Sequence, residues 1–227
     1  MRSIAIAAAA LLLAAATAPA GAQTDTRDQF FLKADLGAGL PSMPNLSDEL
    51  GLQGDESIGG GYSFAIALGR TLAEHAWAFE LHFGVSFLPE FSYVNEYEDF
   101  TADLTHYSFA LVAKKNLLPE SDVFRPWIGA GAGWGVTNLI SGSGKTQGVE
   151  LLGLAQLEIA MRENLSFLLE ASYCYGLAED AFENPFLENI AGEDAVLRTD
   201  GEPLEDRYAA FELRVGILVW LPPPEEF

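Results

Sequence analysis

The chain has 227 residues, with 33 acidic and 12 basic side chains and a formal net charge of −21, yet 49% of it is hydrophobic. So acidic a protein repels phosphates, which excludes a nucleic-acid binder. A lone cysteine, Cys174, excludes an internal disulfide framework, and the length suits one all-β domain better than two.

Residues 1–22 have the layout of a secretory signal peptide. Arg2 supplies the positive start, Ile4 to Ala16 form an apolar run, and Ala20-Gly21-Ala22 is a small-x-small cleavage site. That run is shorter than the roughly 20 residues of a spanning helix, and no Cys stands after the cleavage site to carry a lipid. The mature domain is therefore expected to cover 23–227. Loss of Arg2 leaves 11 bases against 33 acids, or −22. No later stretch is apolar for long enough to be a transmembrane helix.

The mature chain is dominated by period-two alternation, the mark of strands with one apolar face and one polar or small face. In chain order, Phe30, Leu32, Ala34, Leu36 and Ala38 oppose Phe31, Lys33, Asp35, Gly37 and Gly39. Tyr62, Phe64, Ile66 and Leu68 oppose Ser63, Ala65, Ala67 and Gly69, and Trp77 to Phe87 sets its apolar parity against Glu80, His82, Gly84 and Ser86. Tyr107, Phe109 and Leu111 oppose His106, Ser108, Ala110 and Lys114; Ile128 to Val136 oppose Gly129, Gly131, Gly133 and Gly135. Val149, Leu151, Ala155, Leu157 and Ile159 oppose Glu150, Gln156 and Glu158, with Leu152 and Leu154 blurring the polar face. Phe167, Leu169, Ala171 and Tyr173 oppose Ser166, Glu170, Ser172 and Cys174. Phe211 to Leu221 oppose Glu212, Arg214, Gly216 and Trp220. These eight segments predict an eight-stranded antiparallel up-and-down barrel.

Alternation alone fits two barrels that are inside-out versions of each other. A soluble barrel points the apolar face inward, whereas a membrane barrel points it at lipid. The second face decides. It is rich in Gly, Ala and Ser, with only scattered charges, as a narrow lumen requires and a water-facing surface does not. Aromatics also stand near segment ends (Phe30, Tyr62, Trp77, Phe87, Trp127, Tyr175, Tyr208, Trp220), where interfacial girdles are expected. Long connections at about 40–58, 89–101, 137–147 and 176–206 alternate with short ones at about 70–76, 116–123 and 161–164. The last long connection is strongly acidic, so the net charge lies off the lipid face. The reading is a transmembrane β-barrel.

On these residues, the strand Pro126 to Trp134 and the closing strand above all, the chain resembles the outer-membrane β-barrel-domain family of small OmpA-like, OmpX-like and opacity-type surface barrels. The resemblance spans the mature chain and implies a monomer in the Gram-negative outer membrane, exported by a cleaved signal peptide. It also implies contact with outer-membrane lipid and lipopolysaccharide, and delivery by the barrel-assembly machinery. Arg214, Gly216, Val219 and Leu221 resemble the assembly signal on the final strand of such proteins. Phe227 departs from that pattern, because Pro222-Pro223-Pro224 separates it from the strand.

Several chemical motifs fail. Ser141 to Thr146 looks like a phosphate loop, but Leu139 replaces its first Gly and a strand comes next instead of a helix. The glycines at 129–135 relieve crowding in a small barrel and make no dinucleotide fingerprint. His82, with Glu80 and Ser86, and His106, with Ser108, could in principle serve a lipid-modifying enzyme, but structural histidines are commoner inside barrels. No enzyme activity, cofactor or metal site is expected, Cys174 is read as a passive small residue, and the acidic connection 176–206 as a solvated loop. Lys33, Lys114 and Arg214 are expected to pair with Glu80, Glu158, Glu170 and Glu212, since buried charges need partners. Eight strands leave an interior about filled by side chains, so a plugged lumen is favoured over a pore. The expected role is structural or surface contact through the outer loops, with a porin-like conduit for small or hydrophobic solutes as the alternative.

Overall fold

The computed structural model describes residues 29–43, 60–72, 75–87, 91–94, 99–102, 104–139, 145–177, 180–181 and 205–221. Segment 1–22, where a signal peptide is expected, residues 141–144, most of the acidic connection 176–206 and Phe227 lie outside these. In chain order the strands are β1 (Phe30–Ser42), β2 (Gly61–Leu72), β3 (Trp77–Phe87), β4 (Phe91–Val94), β5 (Asp99–Ala102) and β6 (Leu104–Asn116). They continue as β7 (Phe124–Leu139), β8 (Lys145–Arg162), β9 (Leu165–Gly176), β10 (Asp180–Ala181), β11 (Glu205–Asp206) and β12 (Ala209–Trp220). Among the described residues no helix is long and apolar enough to cross a membrane; the described elements are strands.

Eight of these strands close into one barrel, β1-β12-β9-β8-β7-β6-β3-β2, every neighbour antiparallel. Closure runs from Phe31↔Trp220 to Ser42↔Ala209. It leaves no sheet edge with unpaired backbone, the condition for crossing a membrane with strands. The remaining strands form two small antiparallel pairs, β4 with β5 and β10 with β11. Both fall in connections expected to be plain long loops, and they lack the alternating run that marks a spanning strand.

The burial is inverted relative to a water-soluble protein. Leu36, Phe79, Leu111 and Leu213 are exposed around the outside, while Lys33, Glu80, Lys114 and Glu170 are buried within. A belt of that composition is stable only against lipid. Leu152 and Leu154, which blur the alternation of β8, point inward and pack in the lumen. The hairpin β7–β8, with strands of 16 and 18 residues, exceeds the ~9–11 residues that cross a bilayer and extends past the belt.

One expectation needs correction. Phe30, Tyr62, Trp77 and Phe87 do stand on the outer face near the rims, but Trp127, Tyr208 and Trp220 are buried inside the barrel. Their parity already placed them there: Trp127 shares it with Gly129, and Tyr208 and Trp220 share it with Arg214. The pleat fixes direction rigidly, so parity overrides the tendency of aromatics to gather at interfaces.

Candidate functional site

Among the described residues the lumen collects buried ionisable side chains, and it is stratified. Its inner end, where the short connections lie, is apolar. Phe31, Ala78, Trp127, Leu168, Leu218 and Trp220 form a buried cluster, with Phe31 and Trp220 edge to face at 5.5 Å between centroids. Gly69 makes room for the Phe31 ring, which a side chain at that position would strike. His75, at φ 67° in the β2–β3 turn, closes over Trp220 at 5.1 Å. Glu158 anchors this layer by accepting from Arg125 Nη1 at 2.9 Å, Trp127 Nε1 at 3.1 Å and Ser166 Oγ at 2.8 Å.

Above the plug lies a charge network. Lys33 Nζ lies 2.6 Å from Glu170, 3.4 Å from Asp35 and 3.5 Å from Glu80. Lys114 Nζ lies 2.6 Å from Glu80 and donates to Gln156 at 3.2 Å, with the Phe31 ring 5.1 Å away beneath it. Arg214 spreads its guanidinium over Asp35 at 3.2 Å, Glu170 at 2.7 Å and Glu212 at 2.9 Å. Ser86 and Ser172 also donate to Glu212. Every member is buried, and charges so placed persist only when each is paired and hydrogen-bonded.

The structure thus brings Lys33, Glu80, Lys114, Glu170, Glu212 and Arg214 into one network and places Glu158 apart, with Arg125. Asp35, Arg125 and Gln156 are absent from the expected charge pairs, although all three stand on the lumen-facing parity of their strands, which was the available signal. Of the residues resembling an assembly signal, Arg214 and Gly216 face the lumen, Val219 lies on the opposite parity and Leu221 comes just after the strand.

The two histidines do not share a site. His82 Nδ1 lies 3.8 Å from Glu80 in the central network. His106 pairs across from Ser86, four residues away, roughly 13 Å along the strand at ~3.3 Å per residue. At the outer end His106 Nε2 meets Glu150 Oε2 at 3.1 Å and Nδ1 meets Thr137 Oγ1 at 2.9 Å. Tyr208 stacks on its ring at 3.7 Å, and Cys174 Sγ donates to Glu150 at 3.9 Å. Neither Ser86 nor Ser108 is the hydroxyl partner of His106. A cavity of about 30 Å³, lined in part by His106, Thr137, Glu150, Asp206 and Tyr208, opens beside this group.

Comparison with known proteins agrees with this geometry. No protein-family model matches, and no curated protein matches. Among solved structures, Neisserial surface protein A (NspA) superposes with a TM-score of 0.55 at 15% identity, over 85% of this chain and 97% of that one. The outer membrane protein OprG from Pseudomonas aeruginosa does so with a TM-score of 0.52 at 11% identity, over 89% and 100%. The chain is an eight-stranded β-barrel of the outer-membrane type. At such identities the likeness is one of fold, and the role must be argued from this barrel's own residues.

Proposed function

We propose that this outer-membrane barrel is closed to solutes and acts through its outer surface, as a structural or surface-contact protein. One observation carries the reading: the lumen is filled from the inner end upward, first by the Trp127–Trp220 cluster and then by the ion-paired network. A solute would have to displace aromatic rings and break several buried charge-assisted bonds at once. The apolar belt would meet outer-membrane lipid, and the outer rim the lipopolysaccharide leaflet. Segment 1–22 would serve as a cleaved export signal, and β12 as the strand read by the barrel-assembly machinery. The chain would work as a monomer, since closure leaves no strand edge in the barrel itself for another copy.

Planar-bilayer recordings on the refolded full barrel test this reading. The expected result is no discrete openings in the wild-type protein. Stepwise conductance in the wild type, at a protein density where each step is a single insertion, would overturn the closed reading and favour the conduit.

A further inference from the structure

We propose that His106, Glu150 and Cys174 form a site for one divalent transition-metal ion of the zinc class at the outer end of the lumen. No metal is expected from the sequence, because the three residues stand on β6, β8 and β9, separated by 44 and 24 positions. Glu150 and Cys174 come from the paired strands β8 and β9, and the curvature of the barrel brings in His106 from β6, two strands away. Their ligand atoms, His106 Nε2, a Glu150 oxygen and Cys174 Sγ, all lie within 4.8 Å of one another. Two of the spacings are 3.1 and 3.9 Å. A tetrahedral ion with bonds of about 2.0–2.3 Å holds its ligand atoms roughly 3.3–3.8 Å apart. Small side-chain adjustments therefore suffice.

The surroundings fit a ligand set more closely than a chance encounter. The second ring nitrogen of His106 is held by Thr137 Oγ1 at 2.9 Å, the kind of outer contact that fixes a metal-binding imidazole with its free nitrogen aimed at the ion. Stacking on Tyr208 fixes the ring plane. Gly135 leaves open the space that a side chain there would take from Glu150 and His106. The adjoining cavity, about 30 Å³, has room for at least one water, enough for the open fourth position of a three-ligand site.

The donor set also selects the ion. Imidazole nitrogen with thiolate sulfur suits zinc-class ions, whereas magnesium and calcium take oxygen ligands. On binding, the Cys174 thiol releases its proton to solvent. A doubly positive ion then faces one thiolate and one carboxylate, so the buried group is neutral as a whole. The free buried thiol and the imidazole thus converge on one carboxylate oxygen, at 3.9 and 3.1 Å.

The test uses the folded full barrel in detergent, stripped with a chelator and titrated with Co²⁺ and then Zn²⁺. One equivalent of Co²⁺ should produce a thiolate-to-cobalt charge-transfer band that Zn²⁺ bleaches. Cys174→Ser should abolish the band, and Thr137→Val should keep it while weakening binding on the order of tenfold or more. Alkylation of Cys174 in the wild-type protein should slow with Zn²⁺ and stay unchanged with Ca²⁺, a readout independent of whether the variants fold. Absence of the band in folded wild-type protein would overturn the proposal. So would metal binding that Cys174→Ser leaves intact, which would locate it among the acidic outer connections.

Discussion

The two ends of the lumen are built from the same alternating strands and reach opposite kinds of packing. At the inner end a carboxylate, Glu158, is fully buried and takes three donors from Arg125, Trp127 and Ser166 beneath a roof of aromatic rings. At the outer end a second carboxylate, Glu150, faces His106 and the weak donor Cys174, next to a small cavity. Both residues lie on β8, eight positions apart on one parity. The first arrangement resists change and closes the barrel. The second leaves room for a ligand, and the difference lies in what the neighbouring strands contribute.

Substituting each carboxylate in turn gives the largest expected contrast. Glu158→Ala strands a guanidinium and an indole N–H in a dry layer. It should cost about 3–5 kcal/mol, the usual penalty for removing one partner of a buried pair. Glu150→Ala leaves His106 with its Thr137 partner, so about 1–3 kcal/mol is expected. Urea unfolding in lipid vesicles, monitored by tryptophan fluorescence, measures both. Equal losses would show that the two ends are energetically alike and break the comparison.

The barrel itself was legible because alternation is a local signal: each strand displays its own faces whatever it pairs with. Lys33, Glu80, Lys114, Glu170, Glu212 and Arg214 could be assigned to one interior by parity alone. Which cation meets which anion could not, because register and strand tilt set the depth of each side chain. That is why Glu158 stands apart with Arg125, while Asp35 was open to the same parity argument as Lys33. The His106–Glu150–Cys174 group was hidden for the same reason, its members coming from three separate strands. The inward tryptophans show the opposite failure, a general interfacial tendency given more weight than the pleat.

A finer contrast lies along β7. A side chain at Gly133 would run into the Phe109 carbonyl and the Ala110 backbone on β6, and strand backbone cannot move aside. Gly133→Ala should therefore cost about 1–3 kcal/mol, as overpacking does. Two residues outward, a side chain at Gly135 would meet the Glu150 carboxylate and His106 Cε1, which can swing away. Gly135→Ala should cost under about 1 kcal/mol yet weaken Zn²⁺ binding by displacing two proposed ligands. Chemical unfolding and a metal titration on the same preparations separate the effects. Loss of stability without change in metal affinity would mean that Gly135 serves packing only.

The smallest expected effect comes from neighbours on opposite faces. Lys114 and Lys115 are adjacent on β6, and each lies over a tryptophan, Lys114 Nζ at 5.7 Å from Trp127 and Lys115 Nζ at 5.6 Å from Trp77. Ring distance alone makes them look equivalent. Lys114 is buried and held by Glu80 at 2.6 Å, whereas Lys115 is exposed with Trp77 on the outer face at the inner rim. Solvent screens the outer pair, so Lys115→Gln should cost no more than about 0.5–1 kcal/mol. The same change at Lys114 removes a principal partner of a buried carboxylate and belongs with the large effects. Unfolding midpoints of the two variants in vesicles decide the matter. If Lys115→Gln were as damaging as Lys114→Gln, the rim would contribute to stability as strongly as the lumen, and the inner end would owe its rigidity to membrane anchoring instead of its buried network.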